Sequence, residues 1–337
     1  MVSYFVSIPL IASFFITLFV IPFWIRKAHQ INLMWDDMNK LNAEKVAGSG
    51  GIIVLLGFLL SVFIFIAYRV FYLNSSDFLV FVLAIIVCVM FSGSIGMIDD
   101  LFGWQRGGLS ISSRLILLVL AAVPLVVINA GKHAMSIPFF GTVDFGFFYP
   151  LFLIPLGIVG ATSTFNFLAG FNGLEAGNGI IILSSLAIVS FFTSNSWLSV
   201  IALSMVFSLL AFLIFNFYPA KVFPGNVMTY AIGSLIASIA IIGNFEKIAV
   251  FFFIPVILEV FLKIRGGLKK QSFGKPNPDG SLSLRYDRFY SLNHISISVL
   301  EKLGIKPTEK RAVYLMWAFQ IIIIVIGFII FRKGIFG

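Results

Sequence analysis

The sequence predicts an all-α, polytopic integral membrane protein of about ten transmembrane helices, with its chemistry in cytoplasmic active-site loops. Three observations predict this. Of 337 residues, 60% are hydrophobic and 11% charged, and the mean hydropathy is +1.06; a soluble domain carries roughly 25% charged residues and has too little interior to hide such an apolar excess. The apolar residues gather into runs of about 20, the length a helix needs to cross the hydrocarbon. Lipid offers the backbone no hydrogen-bond partner, so these runs are helices and not strands. A soluble enzyme, a disordered tail and a nucleic-acid-binding domain are excluded, and no nucleic-acid partner is expected.

The runs fall at 3–25, 52–71, 78–98, 111–131, 145–165, 177–194, 197–217, 227–243, 247–264 and 313–331. The first is too long and wrongly flanked for a cleaved signal peptide, so it reads as a retained span. The 40 phenylalanines scatter along the spans as lipid-facing and interhelical packing. No internal repeat is evident, so the inverted-repeat signature of many transporters is missing. Residues 1–337 read as one membrane-embedded domain with a long loop at about 265–312. Cys88 is the lone cysteine and sits in an apolar stretch, which excludes an intrachain disulfide and a cysteine metal site.

Ten spans place both termini on one side, and the basic residues decide which. Arg69, Lys132, Lys247, Arg332 and Lys333 fall on the side of the termini; the other 18 of the 23 lie in, or at the rim of, loops after odd-numbered spans. Basic residues concentrate on the cytoplasmic side. The odd loops are therefore cytoplasmic, both termini are outside, and topology accounts for the net charge of +9. Only Asp77, Asp144 and Glu246 among the carboxylates lie outside. Acidic residues carry little topological weight, so their gathering on the inner face points to function.

Five inner segments could carry that function. Gly96-Met97-Ile98-Asp99-Asp100 ends the third span; adjacent carboxylates at a membrane boundary repel, and a cation such as Mg²⁺ with its waters and phosphate oxygens relieves them. A solvated helix end would look the same. Asn166 to Gly177 holds Asn166, Asn172 and Glu175 among glycines. Asparagine offers both a carbonyl acceptor and amide donors, and glycine lets backbone approach a ligand; a plain helix break is the alternative. Phe223-Pro224-Gly225-Asn226 opens the eighth span and also fits a helix cap. The long loop supplies Arg265, Lys269, Lys270, Lys275, Arg285, Arg288 and His294, which could simply meet anionic headgroups. Asp36-Asp37-Met38-Asn39-Lys40 follows the first span. Together they suit a metal-dependent reaction on a pyrophosphate at the cytosolic interface, the metal neutralising phosphates and Lys/Arg stabilising the leaving group.

These motifs resemble the polyprenyl-phosphate N-acetylhexosamine-1-phosphate transferase family (glycosyltransferase 4 type), and within it the dolichyl-phosphate GlcNAc-1-phosphotransferase branch of eukaryotes and archaea. The Asn172-Gly-Leu-Glu-Ala-Gly177 ending carries the likeness to that branch; the bacterial cell-wall branch ends in an Asp-Gly-Leu-Asp-Gly type. The resemblance implies transfer of GlcNAc-1-phosphate from UDP-GlcNAc to a dolichyl or other polyprenyl phosphate, releasing UMP at the start of N-glycan assembly. It implies Asp99 and Asp100 as the catalytic couplet. The implied ligands for Mg²⁺, with Mn²⁺ as an allowed substitute, are Asp100, Asn166 and Asn226. Substrate contacts fall to Asp37, Met38, Asn39, Lys40, Arg114, Asn172, Glu175, Lys269, Lys270, Gln271 and His294. Three positions depart from the family: Asn226 replaces a usual aspartate, Arg114 a common lysine, and Gly48 a glutamate of eukaryotic relatives. Arg is a planar fork, not a point charge. The expected setting is a cell (plasma) membrane with its lipid, and a homodimer is allowed. A same-fold enzyme using another UDP-N-acetylhexosamine and a secondary transporter are the alternatives; the transporter predicts charges near the midplane, whereas these lie in loops and at span ends.

Overall fold

The computed structural model describes residues 6–137 and 141–337. Its helices in chain order are α1 (Ser7–Gln30), α2 (Gly51–Ala67), α3 (Leu79–Arg106), α4 (Ile111–Val127), α5 (Ile154–Phe165), α6 (Leu174–Phe192) and α7 (Ser196–Asn216), followed by α8 (Gly225–Gly243), α9 (Glu246–Phe252), α10 (Ile254–Arg265), α11 (Leu292–Lys302), α12 (Glu309–Ile330) and α13 (Arg332–Phe336). Every expected apolar run contributes helix, but not ten uniform spans. Among the described residues, eight helical segments are long and apolar enough to cross a membrane, and α4 is shorter. The ninth run breaks between α9 and α10 at Phe253, where Pro255 lacks an N–H to continue the ladder. Residues 3–5, where the first span was expected to begin, lie outside the described residues.

The core sits around α8, whose residues from Val227 to Gly243 are all buried. Two glycines bring its neighbours onto its backbone. A Cβ on Gly96 of α3 would fall 2.4 Å from the Asn226 carbonyl oxygen, and one on Gly233 of α8 would fall 2.5 Å from that of Ala161 in α5. Small residues permit such approach where lipid supplies no hydrophobic drive between helices. Hydroxyls fasten α1 and α2 to α7: Ser13 Oγ donates to the Ser204 carbonyl at 2.7 Å, the Thr17 and Ser208 hydroxyls hydrogen-bond each other at 2.6 Å, and Ser61 Oγ donates to Ser204 Oγ at 2.9 Å.

Three short antiparallel hairpins, invisible to hydropathy, shape the loops: β1 (Met34–Asp36) with β2 (Lys45–Ala47), β3 (Ala134–Ile137) with β4 (Gly141–Asp144), and β5 (Lys275–Pro276) with β6 (Leu282–Ser283). The first presents residues 37–44 as its turn, and the amide of Phe223 donates to Ala47 at 2.7 Å, tying that hairpin to the start of α8. The expected loop at 265–312 is partly ordered secondary structure, holding β5, β6 and α11.

Candidate active site

The third run ends differently from expectation. Its helix continues past Ile98 to Arg106, so Asp99 and Asp100 ride on the last turns of α3 and are buried there. Buried carboxylates need donors, and each has three. Asp99 accepts from the Leu109 amide at 2.7 Å, the Asn226 side-chain amide at 2.7 Å and the Arg114 guanidinium at 3.3 Å. Asp100 accepts from the Asn226 backbone amide at 2.8 Å, Ser49 Oγ at 3.0 Å and the Val227 amide at 3.4 Å. Two glycines with positive φ make room. A Cβ on Gly108 (φ +81°) would lie 2.9 Å from Asp99 Oδ1, and one on Gly225 (φ +70°) 2.2 Å from Asp100 Oδ2.

The asparagine-rich segment folds as a short 3₁₀ turn, Asn166–Leu168, followed by a bend into α6. Asn166 Oδ1 accepts from Thr229 Oγ1 at 3.0 Å. Asn172 donates its side-chain amide to Asp37 at 3.0 Å and its backbone amide to Glu309 at 2.7 Å. Asn39 donates to the Gly170 carbonyl at 2.6 Å and accepts from the Gly274 amide at 3.1 Å. The segments after α1, between α5 and α6, and after α10 are thus one structure.

These groups enclose a cavity of about 770 Å³. Of the residues expected from the sequence, Asp37, Met38, Asn39, Asp99, Asp100, Arg114, Asn166, Asn172, Glu175, Asn226 and Gln271 line it. The walls come from the ends of α1, α3, α5, α7 and α10 and the beginnings of α2, α4, α6 and α8. That is one end of the bundle, as the alternation of loops requires.

Four expected residues lie elsewhere. Lys40 turns away into an internal ion pair, its Nζ 2.7 Å from Glu309 Oε2 and 3.5 Å from Asp37 Oδ2, over the Tyr218 ring at 3.8 Å. Burial pulls its pKa down, but the Glu309 and Asp37 carboxylates more than compensate, and it ends above the ordinary lysine value. Lys269 is exposed, and Lys270 lies over the Tyr286 ring at 4.9 Å. His294 is buried, its Nδ1 accepting from the Tyr290 amide at 3.2 Å. Burial, aided by the nearby charges of Lys263 and Arg285, lowers its pKa.

Sequence reasoning missed Ser49, Lys263 and Glu309. Ser49 precedes Gly50-Gly51 and α2, a pattern that reads as a helix start. Lys263 counted only toward topology, yet it lines the cavity and donates to Ser272 Oγ. Glu309 follows Thr308, whose hydroxyl accepts from Arg311, and so looks like ordinary capping.

The electrostatics narrow what the cavity can hold. Its described walls carry five carboxylates (Asp36, Asp37, Asp99, Asp100 and Glu175) against two cations, Arg114 and Lys263. Among the described residues no cluster of three or more His, Cys, Asp or Glu could bind a metal alone. Hard cations such as Mg²⁺ need only one or two carboxylates, completing their shell with other oxygens, waters and phosphates. The couplet and the amide oxygens of Asn166 and Asn226 are an all-oxygen set of that kind. The Asn226 side chain donates to Asp99 through its NH₂, so that bond leaves its amide oxygen unused.

Comparison with known proteins places the chain among glycosyl transferases. The family model described as "Glycosyl transferase family 4" matches residues 82–244. A Saccharolobus solfataricus protein with the provisional name UDP-N-acetylglucosamine–dolichyl-phosphate N-acetylglucosaminephosphotransferase is 36% identical over 96% of both chains. A Sulfolobus acidocaldarius protein of the same provisional name is 32% identical over 96% of this chain and 95% of its own. The Dictyostelium discoideum UDP-N-acetylglucosamine–dolichyl-phosphate N-acetylglucosaminephosphotransferase is 31% identical over 70% of this chain and 65% of its own.

Proposed function

The chain belongs to glycosyl transferase family 4, and from that membership we propose that it transfers GlcNAc-1-phosphate from UDP-GlcNAc to a dolichyl or other polyprenyl phosphate, releasing UMP. One observation carries the reading to this cavity: its carboxylates outnumber its cations, although both substrates are polyanions. A divalent cation reconciles the two. Mg²⁺ bound by Asp99, Asp100, Asn166 and Asn226 would supply charge neutralisation between the two phosphorylated reactants; Mn²⁺ has the same ligand preferences.

The remaining work falls to the chain's own groups. The acceptor phosphate has a second pKa of about 6, so much of it is already a dianion at neutral pH and needs little help from a base. Asp99 holds the Arg114 guanidinium at the cavity wall, where it can steer a phosphate into line for attack on the β-phosphorus. Lys263 and Gln271 line the same cavity and supply donors for the pyrophosphate and the sugar. Asn39, Asn172 and Asp37 form a braced polar set suited to a nucleotide base or ribose. The polyprenyl tail lies in the bilayer beside the bundle. The excess of basic residues at this end supports a cytoplasmic active site, and a cell membrane is the setting proposed.

The test is UMP release from UDP-GlcNAc in the presence of dolichyl phosphate by the purified chain, with Mg²⁺ or with a chelator, and with other UDP-N-acetylhexosamines in parallel. Release that needs both GlcNAc donor and lipid phosphate supports the reading. Equal release after exhaustive chelation defeats the metal, and preference for another UDP-sugar defeats the substrate.

A further inference from the structure

Glu309 is the first residue of α12, far in sequence from every motif of the cavity, and it is buried. A carboxylate in the first turn suits the helix dipole, but a buried one is costly unless it is paired. Both its oxygens are used. Oε1 accepts from the Asn172 backbone amide at 2.7 Å, and Oε2 accepts from Lys40 Nζ at 2.7 Å. Lys40 in turn reaches Asp37, and Asp37 accepts the Asn172 side-chain amide at 3.0 Å. The four groups close a ring: Glu309, Asn172, Asp37, Lys40. Asn172 and Asp37 face the cavity, whereas Glu309 and Lys40 stand behind it.

The docking of α12 fixes this ring. Trp317, two turns along α12, lies against Gly177 of α6, where a Cβ would fall 2.1 Å from its ring, and Trp317 stacks on Phe217 at 5.7 Å between centroids. The space at Gly177 seats the Trp317 ring of α12, the same helix that brings Glu309 to Asn172, directly on α6. We infer that Glu309 is a positioning residue for the nucleotide-sugar end of the cavity, acting through Asn172 and the Lys40–Asp37 pair and touching no substrate itself. The inference rests on the transferase reading above and goes beyond it in making the C-terminal span part of donor recognition.

The experiment uses the full chain in nanodiscs. It measures steady-state kinetics with each substrate varied and equilibrium binding of UDP, for wild type, Glu309→Gln, Glu309→Ala, Lys40→Met and the Lys40→Met/Glu309→Gln pair. Gln can still accept from the Asn172 amide but cannot pair with an ammonium. Hydrogen bonds to charged groups set the scale: Glu309→Ala raises KM for UDP-GlcNAc about tenfold and weakens UDP binding alike, while kcat and the acceptor KM stay within about twofold. Glu309→Gln falls between, and the double variant is no worse than the worse of its parents, because both act through one ring. Should Glu309→Ala not fold, Glu309→Gln and Lys40→Met carry the same comparison. An unchanged donor KM in the folded variants overturns the inference, as does an equal rise in both KM values, which marks general loosening. Wild type that neither binds UDP nor releases UMP overturns the functional reading, and this inference with it; wild-type turnover with indifferent variants overturns the inference alone.

Discussion

Asn226 binds both members of the aspartate couplet at once, its side-chain amide donating to Asp99 at 2.7 Å and its backbone amide to Asp100 at 2.8 Å. This gives a physical meaning to an amide at this position. A third carboxylate would repel Asp99; the amide bonds to it and still presents an oxygen.

Asn226→Asp should therefore make the protein depend on a divalent ion for stability. In chelator its melting temperature should drop by several degrees, the scale of about 1–2 kcal/mol expected when a hydrogen-bonded buried pair becomes like-charged. Added Mg²⁺ should restore it, and at a lower concentration than wild type needs for activity. A thermal shift titration decides this; identical Mg²⁺ responses of variant and wild type would count against a metal at Asn226.

Asp100→Asn and Asn166→Ala should each lower UMP release by at least about a hundredfold, the minimum scale of a group acting at the reacting centre. The helix content should stay intact in both, as circular dichroism can check. Asp100→Asn also turns an NH₂ toward donors that now face oxygens, so a modest loss of thermal stability should accompany it. Near-normal turnover in either variant would remove that residue from the site.

Gly96→Ala tests the contact on which the couplet depends. The added methyl would collide with the backbone at Asn226 and Val227, so α3 must move off α8. Overpacking of this kind costs typically 1–3 kcal/mol, and the couplet moves with the helix. Activity should fall far more than stability. A fully active Gly96→Ala protein would show that the α3–α8 approach is looser than described.

His294 predicts a pH response of the long segment between α10 and α12. Its folded pKa is lowered, chiefly by burial, so the unfolded segment takes up the proton first. Its contribution to stability is complete above the ordinary histidine value near 6.5 and is lost as pH falls below it. The protection factors of the α11 amides, which divide out the slowing of intrinsic exchange at lower pH, should thus fall between pH 7.5 and 5.5. That loss of protection should vanish in His294→Gln; if it persists there, another group is responsible.

The sequence by itself determined the helical membrane architecture and the end of the bundle at which acids, amides and cations gather. Hydropathy and the alternation of loops are local properties, readable wherever enough apolar residues follow one another. It also announced the couplet and the asparagine segment, because polar side chains stand out in an apolar chain. The interruption at Phe253 was less visible, since Pro255 is apolar by composition and breaks only the hydrogen-bond ladder. The tertiary structure alone decided what each polar group faces. Asp99 meets the Asn226 side chain across 127 positions of sequence, and Lys40 meets Glu309 across 269. Gly96 lets α3 touch the backbone at the start of α8, and Gly177 seats the Trp317 ring of α12 on α6. Such contacts follow from shape and chain path, not composition. That is why Lys40 has a carboxylate partner behind the cavity, Lys263 replaces Lys269 and Lys270 on its wall, and Glu309 joins the site.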